Sequence, residues 1–277
     1  MNQEKSFITL NTYTNKLPGF YQALLLIAIA GLVSLVIGFA AQMAAKAIPG
    51  FTLWVMFISY TLSFWLVLVI AQKWWQVLSF EISKVEFVVY ILLIPLVLAL
   101  SVLLEGVVSL IPMPESIQKL FEEMVQLNFQ GYLTIGIAAP ILEELIFRGV
   151  VLKKFLQKYS PTKAIVLSSV IFGIAHMNPW QFVAAFSIGL VIGWIYWKTN
   201  SIWPGIFMHF LNNSFSFYLA KKYESINVTF QDVIGNTIYY ISLLIICVLI
   251  VYAIYLIMDK YFKKVEVRNS DATIFNP

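Results

Sequence analysis

Apolar residues in this chain come in long, nearly unbroken blocks, over residues 20–45, 52–71, 87–111, 131–151, 163–178, 181–197, 201–220 and 237–258. A run of about 20 apolar residues crosses the hydrocarbon core of a bilayer as a helix. Helices are the default there because every backbone polar group must be bonded inside the lipid. A membrane barrel would need alternating apolar and polar positions, and residues 24–30 show no alternation. The pattern predicts an all-α, polytopic transmembrane helix bundle of eight helices. It reads as a single membrane domain over 1–277 with a short polar tail over 262–277. The first block, of about 26 residues, is too long for the apolar region of a signal peptide and lacks a small-residue cleavage site, so it reads as a retained span.

The segments between blocks carry their own patterns. Residues 72–86 set Trp74, Trp75, Leu78 and Phe80 among polar residues, the composition of an interfacial segment with aromatic anchors. Over 115–129, Ile117, Leu120, Phe121, Met124 and Leu127 recur at helical spacing opposite Glu122 and Glu123. That spacing predicts an amphipathic helix lying in the interface. Asn227-Val228-Thr229 matches a glycosylation sequon, a weak pattern. Lysine and arginine sort the loops. With the N-terminus cytoplasmic, fourteen fall in inside segments, and only Lys46, Lys119, Lys221 and Lys222 fall outside. Cytoplasmic loops carry such an excess, so both termini are expected inside.

Composition agrees. The chain is 60% hydrophobic and 12% charged, against about 25% charged in soluble domains. The net charge of +4 comes with no basic stripe, so the lipid bilayer is the expected partner and nucleic acid is not. Cys247 is the only cysteine and sits in an apolar run. No intramolecular disulfide can form, and a buried structural thiol is expected, since a reactive thiol needs an accessible electropositive site.

Ionisable groups inside spans cost several kcal/mol each, roughly 2.5 to 3.5 on insertion scales, and mark functional sites by default. They concentrate in three blocks: Glu143, Glu144 and Arg148 in the fourth, His176 in the fifth, and His209 with Asn212 and Asn213 in the seventh. His176 and His209 are the only two histidines. Glu144 stands four residues before Arg148, the favourable order for an intrahelical ion pair. Glu143 lies about 100° away round the helix, free to address another face. His209 and Asn213, four apart, share a face. At about 1.5 Å per residue, the three groups lie roughly 12 to 20 Å from the lysine-rich ends of their helices. One shared polar cavity, open to the cytoplasm, is therefore expected.

A glutamate, two histidines and an amide suit water activation and attack on a carbonyl. The same groups could instead ligate zinc and leave a position open for water. There is no HExxH motif and no rhomboid-type Gly-x-Ser-Gly segment, and Asp232, Asp259 and Asp271 all lie outside the spans. Glutamate-type intramembrane proteolysis remains. The alternatives are a transporter or proton-relay protein, or a catalytically silent scaffold or immunity protein.

Three motifs sharpen this. Glu143-Glu144-Leu145-Ile146-Phe147-Arg148 resembles the EExxxR motif of the CPBP family, the type II CAAX-protease and bacteriocin-processing (Abi) membrane proteins. Phe172-Gly173-Ile174-Ala175-His176 resembles its FxxxH motif, and His209-Phe210-Leu211-Asn212-Asn213 its HxxxN motif. The resemblance implies an eight-helix intramembrane endopeptidase with its catalytic core over 130–220, acting on a membrane-associated peptide or a protein C-terminus. It implies Glu143 as general base, His176 as an aid to water activation, and His209 and Asn213 as oxyanion stabilisers or ligands. Glu144 and Arg148 would support them, and Phe172 would shape the substrate cavity. The family is commonly called metalloprotease. Arg148 one turn away and the amide of Asn213 tilt the expectation toward glutamate-activated water without an obligatory zinc ion.

Overall fold

The computed structural model describes residues 17–275 except 49, 78, 125–126 and 226–228, with backbone only at 120, 121, 123, 124 and 266–275. All regular structure within it is helical, apart from one isolated bridge between Ile82 and Ser201. The sequon at 227–228 and Leu78 lie outside the described residues.

Helix α1 covers Phe20–Ala47 and α2 Val55–Trp75, with a short 3-10 turn, Phe51–Trp54, leading into α2. Helix α3 is Phe87–Val108, and α4, the amphipathic segment, is Glu115–Met124. Helix α5 is a composite over 129–158. Its α-helical pieces Phe129–Tyr132, Ala139–Ile146 and Lys153–Lys158 are joined by π-helical turns at Leu133–Ala138 and Phe147–Leu152. Then follow α6, Pro161–Ile174; α7, Pro179–Thr199; α8, Trp203–Tyr223; α9, Phe230–Ile234; and α10, Thr237–Phe275.

Local signals explain several boundaries. Helices α6 and α7 each begin with proline, whose fixed φ and missing N–H suit a first turn. Asn178 caps α7 by accepting from Gln181 N–H at 2.8 Å. Asn200 and Glu224 end α7 and α8 in the left-handed conformation. No glycine or proline interrupts 237–275, so the polar tail expected after residue 261 is instead a continuation of α10.

Among the described residues, five helices are long and apolar enough to cross a membrane, Phe20–Ala47, Phe51–Trp75, Phe87–Val108, Pro179–Thr199 and Thr237–Val265. The other three long stretches, α5, α6 and α8, are the ones that carry the polar motifs. Helix α6 has 14 residues, about 21 Å at 1.5 Å per residue, shorter than a bilayer core. Large apolar side chains such as Leu35, Phe39, Ile245 and Leu249 stand exposed on α1 and α10. In water such faces would be a liability; in a bilayer they meet solvent of their own polarity. The protein is an all-α integral membrane bundle.

Two apolar clusters hold it together. One joins α1, α2, α5 and α6 through Ala23, Leu26, Val67, Ile146, Val150 and Phe155. The other joins α3, α7, α8 and α10 through Leu93, Ile192, Met208 and Met258. Cys247 is buried and free, as expected. The aromatic residues of 72–86 depart from expectation. Trp75 is buried and stacks on Phe155 at 6.5 Å, and Phe80 fills the space beside Gly149, where a Cβ would lie 2.5 Å from its ring. Only Trp74 is left facing outward. Two of the supposed interfacial anchors are therefore wedges between helices.

Lysine-bearing segments gather at one end of the bundle. Lys158 Nζ donates to Leu17 O at 2.7 Å, Lys153 pairs with Glu81 at 2.8 Å, and Ile202 N–H donates to Glu81 O at 2.9 Å. At the opposite end Trp180 Nε1 donates to Ile111 O at 3.1 Å, and Phe230 N–H donates to Glu105 Oε2 at 3.3 Å.

Candidate active site

The two adjacent glutamates face different surroundings. Glu144 is sealed, with side-chain exposure of 0%, and Arg148 with 2%. Arg148 Nη1 donates to Glu144 Oε1 at 2.7 Å, the i,i+4 pair expected from the spacing, and Nη2 donates to Gly189 O at 3.3 Å. Glu144 Oε2 packs toward Gly205, where a Cβ would come within 3.0 Å of it. Glycine at 205 is what lets α8 lie this close to α5.

Glu144 also holds a histidine. His209 Nδ1 lies 3.1 Å from Glu144 Oε1. A carboxylate already paired with Arg148 can only accept, so Nδ1 carries the hydrogen. That fixes the ring, with Nε2 turned toward Glu143 Oε2 at 3.9 Å. Such a carboxylate-to-imidazole bond sets which nitrogen is presented to the site. Glu144 therefore does more than neutralise Arg148: it orients His209.

Glu143 is not unengaged either. Tyr60 on α2 donates its hydroxyl to Glu143 Oε1 at 2.5 Å. Oε2 is buried without a hydrogen-bond partner among the described residues. Glu144 Oε2 lacks a partner as well, so what sets Glu143 apart is that its carboxylate lines the cavity. Tyr60 is one of 14 tyrosines, and nothing in its apolar block distinguished it. Its polar hydroxyl at mid-helix is the only signal that could have been read.

His176 stands just beyond the end of α6. Its Nδ1 donates to Phe172 O at 2.9 Å, which leaves Nε2 as an acceptor. Phe172 is the hub between the two compartments. Its ring meets His176 edge-on at 5.2 Å and His209 at 5.7 Å, while Arg148 Cζ lies 4.6 Å from its centroid. Asn213 donates from Nδ2 to Ile135 O, in the first π-helical turn, at 2.9 Å. π-turns re-register the helix ladder and recur at functional sites. Here an asparagine from α8 ties that turn in place. Asn212 donates to Asn213 Oδ1 at 3.2 Å and accepts from Ser101 at 3.3 Å.

Glu143, His176, His209, Asn213 and Phe172 all line one cavity of about 490 Å³, together with Tyr60. Glu144 and Arg148 are not among its lining residues. The cavity's direction differs from expectation. It is walled by Met56, Leu127, Gln181 and Ala220, which lie toward the end opposite Lys153 and Lys158. Toward the lysine-rich end Phe147, Val150, Val151 and Leu152 are fully packed. Depth counted along each helix predicted a common level, but not which side chains close the passage.

Among the described residues no group of three His, Cys, Asp or Glu is arranged to hold a metal ion. Glu144 is taken by Arg148 and His209, while both histidines bond through Nδ1 and keep Nε2 free, an arrangement that metal-ligating histidines also adopt.

Comparison with known proteins bears on the same segment. Residues 126–215 match the model of the family described as "Type II CAAX prenyl endopeptidase Rce1-like". That range contains all three motifs. The chain is also 37% identical over 80 residues to the "Putative membrane peptidase YdiL" of Bacillus subtilis (strain 168). The alignment covers 29% of this chain and 33% of that protein, so the chain spans about a third of the length of the curated relative it matches. No solved structure matches.

Proposed function

We propose that this protein is an intramembrane endopeptidase in which Glu143 activates water for attack on a peptide carbonyl. The observation that carries the reading is the bare Oε2 of Glu143, 3.9 Å from His209 Nε2 in the shared cavity. A water molecule hydrogen-bonded to both atoms would sit at ordinary distances of about 2.8 Å. Glu143 takes one proton from that water as the oxygen attacks, and passes it to the leaving amine as the C–N bond breaks. The oxyanion is stabilised by donors that do not move. The second N–H of Asn213 serves, its first being held by Ile135. His176 Nε2 accepts from the water or from the substrate amide.

The reading assigns water activation to Glu143 itself, with no step through a metal. Purified protein in liposomes, offered a peptide library and read by mass spectrometry, is the test. Wild-type protein should cleave and Glu143→Gln should lose about 10³-fold or more, the scale of a general base. Cleavage should survive a zinc chelator. Undiminished cleavage by the Gln variant would refute the role of Glu143. Loss on chelation, restored by zinc, would refute the metal-free chemistry.

A further inference from the structure

We infer that the cavity is served from the non-cytoplasmic face, so that its substrate is a peptide segment presented on the outer side of the membrane with uncharged residues around the scissile bond. The inference rests on the peptidase reading above for the word substrate, and on separate observations for the side.

The first observation is the distribution of charge on the folded bundle. Arg148, counted with the inside segments, is buried in its ion pair, which leaves thirteen basic residues against four. In the fold the lysines meet: Lys153 at Glu81 and Lys158 at Leu17 O mark one end of the bundle. The loops at that end are short, the case in which lysine excess sets orientation most strongly. The lysine-rich end is the cytoplasmic one.

The second observation is where the cavity leads. Glu143 and His209 form its floor, and its walls rise through Tyr60 and Met56 on α2, Gln181 on α7 and Ala220 on α8. Gln181 is exposed. Residues 56, 181 and 220 lie at the ends of their helices remote from Lys153 and Lys158, with Lys221 and Lys222 just after Ala220. Below the floor, the buried Glu144–Arg148 pair and the side chains of Phe147, Val150 and Val151 fill the path to the cytoplasm. Opening that path would unpack the apolar core shared by α1, α2, α5 and α6.

The third observation concerns what fits. Among the described residues no lysine or arginine lines the cavity, and Glu143 is the only carboxylate that does. Ile135, Phe172, Ile188 and Phe217 supply most of the rest. A charged side chain bound next to the scissile bond would lose its hydration with no partner except the catalytic carboxylate.

Single cysteines in a Cys247→Ala background, labelled in right-side-out bacterial membrane vesicles by a membrane-impermeant maleimide, test the side. Gln181→Cys and Ser216→Cys, near the cavity, should label without permeabilisation. Gln157→Cys and Asn200→Cys, at the lysine-rich end, should label at least tenfold more only once the vesicles are opened. The reversed pattern overturns the inference. Cleavage sidedness is the second arm. Library peptides added outside right-side-out vesicles should be cut at least tenfold faster than those added outside inverted vesicles. Faster cutting in inverted vesicles overturns the inference as well. The labelling result stands whether or not any peptide is cut, so failure of the peptidase reading and failure of outward access appear in different assays.

Discussion

Glu143 and Glu144 are consecutive residues on one helix, yet they live in two different regions of the molecule. On the sealed side, Glu144 is bonded to Arg148 and His209 with no exposed surface. On the open side, Glu143 has one oxygen held by Tyr60 and the other bare in a cavity of about 490 Å³. A rotation of about 100° per residue puts one carboxylate in the sealed core and the other in the cavity. His209 bridges the two regions, with Nδ1 on the sealed side and Nε2 on the open side. The sealed region determines the orientation of the imidazole, and the open region uses it. This division explains why a membrane protein retains a buried ion pair that contributes little net stability.

Changes on each side should fail in different ways. The largest expected effect on folding is from Arg148→Met. It leaves Glu144 charged, buried and without its cation, and should destabilise the protein by about 3–5 kcal/mol. Thermal unfolding in detergent checks this. An unchanged midpoint would mean the pair is not sealed. On the open side, Tyr60→Phe keeps the ring and removes the bond to Glu143. It should lower kcat about tenfold, the worth of one hydrogen bond of about 1.4 kcal/mol, with KM and unfolding nearly unchanged. Steady-state kinetics separate this from a packing defect, which would move the unfolding midpoint instead. The smallest effect is from Gly205→Ala. Its methyl would meet Ile192 at 2.8 Å and Glu144 Oε2 at 3.0 Å. Overpacking of this kind costs about 1 kcal/mol or somewhat more, and the displaced carboxylate should loosen His209. A stability loss without any change in kcat would show that Glu144 does not orient the ring.

Much of this was readable before the fold. The eight apolar blocks correspond to the eight long helical stretches, because in lipid the backbone has few other solutions. The Glu144–Arg148 pair followed from i,i+4 spacing alone. The motif residues gathered as their spacing implied, since polar groups on three neighbouring spans have nowhere else to hide from lipid. Other features needed the tertiary structure. The π-turns fall in ordinary apolar runs, Leu133–Ala138 and Phe147–Leu152, and no periodicity marks them. Tyr60 belongs to a span whose pattern records only hydrophobicity, and its partner is 83 residues away. The side to which the cavity leads depends on which side chains fill the other end, and helix depth does not carry that information. Trp75 and Phe80 read as interfacial by composition, but the gaps beside Phe155 and Gly149 drew them inward.

The most direct test of the division between the two glutamates measures both properties on one pair of variants, Glu143→Gln and Glu144→Gln, in purified, monodisperse protein. Peptide cleavage and the thermal unfolding midpoint are recorded for each. The account predicts that Glu143→Gln abolishes cleavage and unfolds within a degree or two of wild type. Glu144→Gln should lower the unfolding midpoint clearly while the folded fraction retains residual cleavage, limited by a poorly oriented His209. Equal and complete loss of cleavage in both, with neither midpoint moved, would contradict it.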